Sequence, residues 1–530
     1  MSQVAEVFCL RENQHYTVDS LAVLLAPINE EEVKAFIAYM RDQEVCKTDR
    51  ERGTVTFQYV GLLEFRCEKG SDGLRRKLVF FEPKFFPERS NYECKTDGFT
   101  VAQKIVLKAI FKYQKAQQIS LFSNGRIVSY EGCSHRLSTQ LALILDVMEK
   151  GVYQVPKIEH VLNGQGNIDW QETFVRVDPF FTDGGPCYVD TVTREMGYDD
   201  DTYISRLQMC LTSRCFAYFE EIGLASPLGL FLESPYDGDL DEFGSKNYRA
   251  SRLMHELRTQ FIDDKQQSLR LMQAVLEDDA YGSDSLDFQS FGISGFHALW
   301  ERAIKDVFVD ELELTPNQLG LFCESEDKAN RPLKDFIDPP VWIMADSDIR
   351  ASPRDGTATE RLRPDFVAVG RDVSPEVGTK PTSLIILDAK YYLPEFEGTV
   401  LTGVPGVGDV DKQLLYEIGF SKLADENGVA KHVYNAFLFP TYKERVEEWI
   451  TTEIAGEFFA SINVGVFAEL CSAITKADVR STFDSYKIDG LALLSRYARN
   501  STDDASRSNL MEILKKEHEK SMVTGKEVAQ

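Results

Sequence analysis

The chain has 530 residues, 43% of them hydrophobic and 27% charged, a composition that excludes a disordered or fibrous protein. At this length two to four domains are expected, each able to bury its own core. The formal net charge of −26 excludes a uniformly basic protein that coats nucleic acid, so any contact with phosphates must rest on a local basic surface, bound cations or a partner.

No uncharged apolar run reaches the roughly 18 residues that a membrane span needs, so no membrane association is expected. Met1–Leu10 carries no basic region followed by an apolar run, and no secretion signal is expected there. The 10 cysteines are scattered singly. The nearest pair, Cys210 and Cys215, lacks the spacing of a zinc knuckle and has no histidine pair to complete it, which suits reduced thiols in an intracellular protein.

Residues 1–95 predict a small mixed α/β module. Val18–Leu25 and Glu30–Arg41 read as helices, with Asn29 as the cap before Glu30-Glu31-Glu32. Thr54–Phe65 and Lys77–Phe86 read as strands joined by the turn Lys69-Gly-Ser-Asp-Gly73. Two helices followed by strands suit a winged helix, which binds DNA or docks proteins, and a plain accessory domain suits the pattern as well. Residues 96–285 read as a mainly helical middle region, with apolar residues at helical spacing in Val101–Tyr113, Leu137–Met148, Tyr203–Glu221 and Ser251–Leu276. Gly164-Gln-Gly166 is too short for a dinucleotide loop and reads as a turn. The acidic run Glu277–Gly295 marks a domain boundary. Residues 286–500 form the expected carboxy-terminal domain, and 501–530 a charged tail with one exposed helix.

The chemistry concentrates after Gly295. Phe296, Leu299, Trp300, Ala303, Ile304 and Val307 form a stripe at helical spacing, and Glu301 sits within that helix. On its own Glu301 reads as a surface carboxylate. Val341–Met344 reads as a short strand. Two further strands follow, in Arg361-Leu-Arg-Pro-Asp-Phe-Val-Ala-Val-Gly370 and Ser383-Leu-Ile-Ile-Leu-Asp-Ala-Lys-Tyr-Tyr392, the second apolar enough to be covered on both faces. As an antiparallel hairpin, their arms Asp365–Gly370 and Ser383–Asp388 have equal length. Pairing Gly370 with Ser383 therefore sets Asp365 opposite Asp388.

Opposed side chains lie about 4.5–5.5 Å apart at Cβ. Two bare carboxylates that close repel, and a divalent cation between them removes the conflict. Alternation puts Lys390 on the face of Asp388, with Ala389 pointing away. An ammonium there can orient an attacking water and stabilise charge building on a phosphate. Magnesium suits two carboxylates, a carbonyl and waters, and the chemistry that follows is hydrolysis of a phosphodiester. Each half alone is ordinary: Asp-Ala-Lys is a common strand end and Pro-Asp a common strand start. Gly403–Gly408 reads as a flexible loop, Asp409–Glu417 as a helix that begins at Asp409 or Asp411 and aligns Gln413 with Tyr416, and His432–Pro440 as a further strand.

The order helix, strand, strand, strand, helix, strand, with Pro-Asp, then Asp-x-Lys, then a Gln-bearing helix, resembles the PD-(D/E)XK nuclease core over roughly Gly295–Pro440. The resemblance implies that Glu301, Asp365, Asp388 and the Ala389 carbonyl hold Mg2+, for which Mn2+ substitutes. It implies catalytic roles for Glu301, Asp365, Asp388, Lys390 and Gln413. Arg363, Lys412 and Tyr416 are the candidates for contacting DNA. The fold class expected is α/β, of the α+β multidomain kind: a carboxy-terminal restriction-endonuclease-like core, an amino-terminal mixed domain and a helical middle region.

More narrowly, the chain is similar to the LlaJI-type restriction endonucleases and their McrC-like relatives. The supporting stretches are Gly164-Gln-Gly-Asn-Ile-Asp-Trp-Gln-Glu-Thr173, Tyr188-Val-Asp-Thr-Val-Thr193, Trp300-Glu301, Leu387-Asp-Ala-Lys-Tyr-Tyr392 and Gly408-Asp-Val-Asp-Lys-Gln413, with Tyr59-Val-Gly-Leu62 and Pro83-Lys84 at the front. That resemblance implies a cytoplasmic bacterial defence enzyme that cuts double-stranded DNA, works with a McrB-like AAA+ GTPase and forms a homodimer for double-strand cleavage. The amino-terminal module would serve as a McrC-like docking element. Two other readings remain open: a RecB-like repair or processing nuclease, and a non-catalytic adaptor that retains the nuclease fold. The intact set Glu301, Asp365, Asp388 and Lys390 argues against the adaptor.

Overall fold

The computed structural model describes residues 6–26, 30–70, 73–88, 95–122, 136–278, 287–339, 342–343, 350–351, 361–371, 380–444, 454–463, 482–499 and 507–515. The expected cap Asn29, the middle of the 69–73 turn, residues 279–286 of the acidic run, Val341 and Met344 of the short strand, and the tail beyond 515 lie outside these residues. The chain divides into two compact units: one of residues 1–6, 63–78 and 121–291, the other of 7–62, 79–120 and 292–530.

The first unit is built on the helices Arg136–Lys150, Tyr203–Glu221, Lys246–Thr259 and Asp263–Asp278. Tyr203–Glu221 starts at Thr202, whose hydroxyl accepts from Ser205 N, and buries Ile204, Leu207, Leu211, Cys215 and Phe219 along one side. The single helix expected over Ser251–Leu276 is two. Gln260 adopts extended backbone between them, and its side-chain oxygen accepts from Phe261 N and Ile262 N, each at 3.1 Å. That local bonding gives the backbone an alternative to the helix, which apolar spacing alone does not reveal.

The middle region is also less helical than expected. Val155–Leu162, Val192–Asp199 and Asn167–Ile168 form an antiparallel sheet with Val192–Asp199 central, and Phe180–Thr182 pairs with Gly185–Cys187. Val155–Leu162 has no buried residue, so it lacks the alternation by which a strand is read. The Gly164-Gln-Gly166 turn lies in this insert. A Cβ at Gly166 would stand 2.0 Å from the Arg194 carbonyl oxygen, so only glycine fits. Asp169 caps the helix Trp170–Arg176 and takes Arg194 Nε at 2.6 Å and His160 Nε2 at 3.1 Å, and the bond from Arg194 drives its pKa down to about 2.

In the second unit, His15–Thr17, Thr54–Phe57 and Cys46–Asp49 form an antiparallel sheet with Thr54–Phe57 central. It accompanies Val18–Leu24, which opens on a capping box at Thr17, and Glu30–Asp42, which buries Val33, Phe36, Ile37 and Met40. The single strand expected over Thr54–Phe65 breaks at Gln58-Tyr59 into Thr54–Phe57 and Val60–Gly70.

The rest of this unit carries a mixed sheet. Its elements are α1 (Phe296–Phe308), β1 (Phe366–Arg371), β2 (Pro381–Ala389), α2 (Val407–Glu426), β3 (Val433–Thr441), β4 (Gly456–Asn463), β5 (Thr482–Asp489) and α3 (Gly490–Ala498). The strand order is β1-β2-β3-β5-β4. β1 runs antiparallel to β2, β2, β3 and β5 are parallel, and β4 is antiparallel to β5. β2 and β3 are buried through most of their length, as parallel strands covered on both faces must be.

Along β2, Leu384 and Ile386 join Val367 and Val369 of β1 in one core with Tyr416, Phe420 and Leu423 of α2. Alternation therefore assigns Asp388 and Lys390 to the α2 face of the sheet. Each such buried leucine, isoleucine or phenylalanine contributes about 1.5–3 kcal/mol. β1 is an edge strand, and carboxylates occupy its outer amides. Val367 N donates to Asp310 Oδ1 at 3.0 Å and Val369 N to Glu311 Oε2 at 2.8 Å, which closes the edge to a further strand.

Candidate active site

The β1–β2 hairpin pairs Phe366 with Leu387 and Gly370 with Ser383, the register that equal arms require. Asp365 lies one residue before the first pair, and its Oδ2 accepts the Ala389 N–H at 3.0 Å. This bond fixes one carboxylate against the end of β2. Asp388, only 4% exposed, meets it there. Burial, then the hydrogen bond to Asp365 and its charge, raise the Asp388 carboxyl well above the usual range, and Lys390 pulls it only partly back.

Lys390 Nζ stands 3.2 Å from Asp388 Oδ2 and 3.0 Å from Asp409 Oδ1. Burial pulls this ammonium down, but the Asp388 charge and the bond to Asp409 outweigh it, and its pKa is raised overall. Lys390 is thus held as a cation between two carboxylates, suited to stabilising negative charge rather than to taking a proton.

Glu301 is half-buried on α1. Its carboxyl is raised first by burial and then by the Asp365 charge, while Lys305 and Lys390 oppose. It is within electrostatic reach of the pair, but among the described residues no three His, Cys, Asp or Glu side chains converge to ligate one ion. Asp365, Asp388 and Lys390 come together, and Glu301 stands at their margin.

Gln413 makes its side-chain hydrogen bonds to β3. It is fully buried, and its Nε2 donates to Asn435 Oδ1 at 2.5 Å. Asn435 Nδ2 in turn donates to Glu417 Oε2 at 2.8 Å and to the Gln413 carbonyl at 3.1 Å. Gln413 Oε1 has no hydrogen-bond partner among the described residues. Tyr416 is nearer the chemistry. Its hydroxyl donates to the Arg363 carbonyl at 2.9 Å, and burial followed by the charges of Asp388 and Asp365 raises its pKa. The Arg363 guanidinium is exposed and donates to Asp335 Oδ1 at 2.8 Å, and Lys412 is exposed on α2.

The sequence reading missed Asp409 as a partner of Lys390, taking it only for a residue at the helix start. Gly406 occupies the cap position instead. A signal was there: Asp409 is four residues before Gln413 and seven before Tyr416, so all three share one side of α2.

A curated relative, the type II restriction enzyme BsuMI component YdjA of Bacillus subtilis (strain 168), is 27% identical over 407 residues, which are 76% of this chain and 76% of that protein. A solved assembly of Thermococcus gammatolerans McrB AAA+ hexamers with bound McrC matches at a TM-score of 0.34 and 9% identity, over 96% of this chain and 100% of that one. A score that low carries no argument about the fold. Residues 73–321 and 327–467 match the model of the LlaJI restriction endonuclease family, so the chain belongs to that family.

Proposed function

We propose that this protein is the magnesium-dependent, DNA-cutting subunit of a bacterial restriction system, with a PD-(D/E)XK-type core. The observation that carries the reading is the meeting of Asp365 and Asp388 beside Lys390 at the end of one hairpin. A restriction-endonuclease family supplies the reaction class, and these residues supply a site for it.

The donor set fits a divalent cation. Two carboxyls share a buried corner at a cost in repulsion, and neither can escape, because Asp365 is tied to Ala389 N and Asp388 is anchored in β2. Asp365 and Asp388 would hold the ion, with Glu301 as the nearest additional carboxylate and Mn2+ as a substitute. When bound, magnesium would supply Lewis acidity and favour ionisation of the attacking water. Lys390, oriented by Asp409, would stabilise charge on the phosphate oxygens. Tyr416 would keep the Arg363 strand entry against α2.

Phosphate binding by so acidic a chain suits a division of labour, with a McrB-like AAA+ GTPase as the partner that grips DNA. A surface suited to a protein partner lies in the β-rich insert. Ile158, Trp170, Phe174, Phe181 and Met196 are 60%, 50%, 59%, 82% and 73% exposed, far more apolar surface than an isolated segment leaves bare. Acidic residues outnumber basic ones around it, which disfavours DNA and favours a basic protein surface. A homodimer would cut both strands.

The test incubates the purified chain with plasmid and Mg2+, with and without a McrB-like AAA+ GTPase. Wild type should cut, at least in the complex, while Asp388→Ala and Lys390→Ala fold but do not. Cutting by either variant at the wild-type rate would remove the site from the chemistry.

A further inference from the structure

We infer that Tyr391 and Glu12 form a positioning brace that sets the end of β2, and with it Asp388 and Lys390, against the helix that carries Glu301. The inference rests on the nuclease reading and deepens it. Lys390 makes the last ladder bond of β2, donating its N–H to the Leu438 carbonyl at 3.0 Å. Tyr391 is the first residue beyond it and, by alternation, points to the face opposite Lys390.

Tyr391 is 7% exposed, and its hydroxyl donates to Glu12 Oε2 at 2.6 Å. Lys84 N donates both to that hydroxyl at 3.2 Å and to Glu12 Oε2 at 3.1 Å. The Lys84 ammonium lies 4.3 Å from the centre of the Tyr391 ring. Phe85 meets the ring edge-on at 6.4 Å, and Phe296, the first residue of α1, lies 5.2 Å away. Phe85 is itself wedged over the start of α3, where a Cβ at Gly490 would stand 2.8 Å from its ring.

One side chain therefore joins three elements: the strand end bearing the ammonium, the start of the helix bearing Glu301, and the chain turn at Pro83-Lys84. A buried tyrosine hydroxyl usually takes a partner, so satisfying it would explain one bond. It does not explain a buried carboxylate, 7% exposed at Glu12, whose Oε2 receives the Tyr391 hydroxyl and the Lys84 N–H. Burying that charge is costly, and what it yields is a fixed direction for the residue next to Lys390. Displacing a reacting group by an ångström costs about 100-fold in rate, so small freedom here matters.

The test uses the full chain with its AAA+ partner for plasmid cleavage, and the full chain alone for Mn2+ binding by calorimetry. Tyr391→Phe keeps the ring and removes the bond. It should lower kcat by about 10- to 100-fold with KM for DNA within about twofold, weaken Mn2+ binding, and leave the unfolding temperature near wild type. Glu12→Ala should do the same, Glu12→Gln, which keeps an acceptor, should restore both readouts, and the double variant should be no worse than either single one. Wild-type kcat and Mn2+ affinity in Tyr391→Phe would overturn the brace while the nuclease reading stands. Losses that merely track lowered thermal stability, with no rescue by Glu12→Gln, would overturn it too. A wild-type chain that neither binds Mn2+ nor cuts overturns the nuclease reading and the brace with it.

Discussion

Asp388→Asn should stabilise the metal-free protein at alkaline pH while destroying its activity. In the folded chain, burial and Asp365 raise the Asp388 carboxyl well above the value near 3.9 of an unfolded aspartate. The sign follows from linkage. A group whose folded pKa is raised contributes stability that is complete below the unfolded value and is lost as pH climbs through the folded one. Above that range wild type carries a buried carboxylate against a second one, and asparagine does not. Every tenfold change in a carboxyl's proton affinity on folding is worth about 1.4 kcal/mol. With allowance for relaxation of a buried charge, the stability gap between variant and wild type should widen by on the order of 2–4 kcal/mol between pH 5 and pH 9. That widening is roughly 3–6 °C in unfolding temperature for a unit of this size. The assay is calorimetric unfolding in EDTA at the two pH values. Adding Mg2+ should then raise wild type, by about 2.7 kcal/mol at a hundredfold excess over Kd, and leave the variant unmoved. A gap that is the same at both pH values, or that narrows as pH rises, would refute the idea that two carboxyls are held in conflict awaiting a cation.

Three further outcomes are expected. Asp409→Asn removes one of the two carboxylates that orient Lys390 and should slow plasmid cleavage about tenfold at saturating Mg2+; an unchanged single-turnover rate would make that contact incidental. Glu311→Ala strips Val369 N, Arg371 and Arg507 of a shared partner beside the edge strand and should cost about 3 kcal/mol in urea unfolding, whereas a loss under about 0.5 kcal/mol would show the edge to be protected otherwise. If the proposed McrB-like AAA+ partner docks on the β-rich insert, Phe181→Glu with Met196→Glu should abolish co-elution with it and leave helical circular dichroism and Mn2+ binding intact, and retention of the complex would move the docking surface elsewhere.

Much of the fold was legible where burial writes a period. The Phe296–Phe308 helix shows its stripe because Leu299, Trp300, Ala303, Ile304 and Val307 are all buried. The β1–β2 register could be derived because one arm fixes the other once a turn joins them. The β-rich insert left no such trace, since Val155–Leu162 buries neither face. The break at Gln260 is a side-chain event and leaves the apolar spacing on either side untouched.

The candidate site was legible in proportion to how local its contacts are. Asp388 and Lys390 are two residues apart on one strand, and Asp365 reaches them through a hairpin, so pattern alone predicts their approach. Gln413 needed more. Its place on α2 could be read, but which way that helix turns about its axis is set by packing of Phe420 and Leu423 on β1 and β2, and that packing points Gln413 at Asn435 of β3. The same rotation brings Asp409 to Lys390, so a residue expected merely to start a helix serves as a counter-charge, while Gln413, on the same side of that helix, bonds to Asn435. Tyr391 was beyond reach for the same reason at longer range: its partner Glu12 lies 379 residues away, and nothing in either segment announces the other. A site of this kind is read reliably along a strand and across a turn. Its second ring of contacts depends on tertiary packing, and there a substitution that keeps shape and removes one bond, as Tyr391→Phe does, separates a positioning role from mere burial.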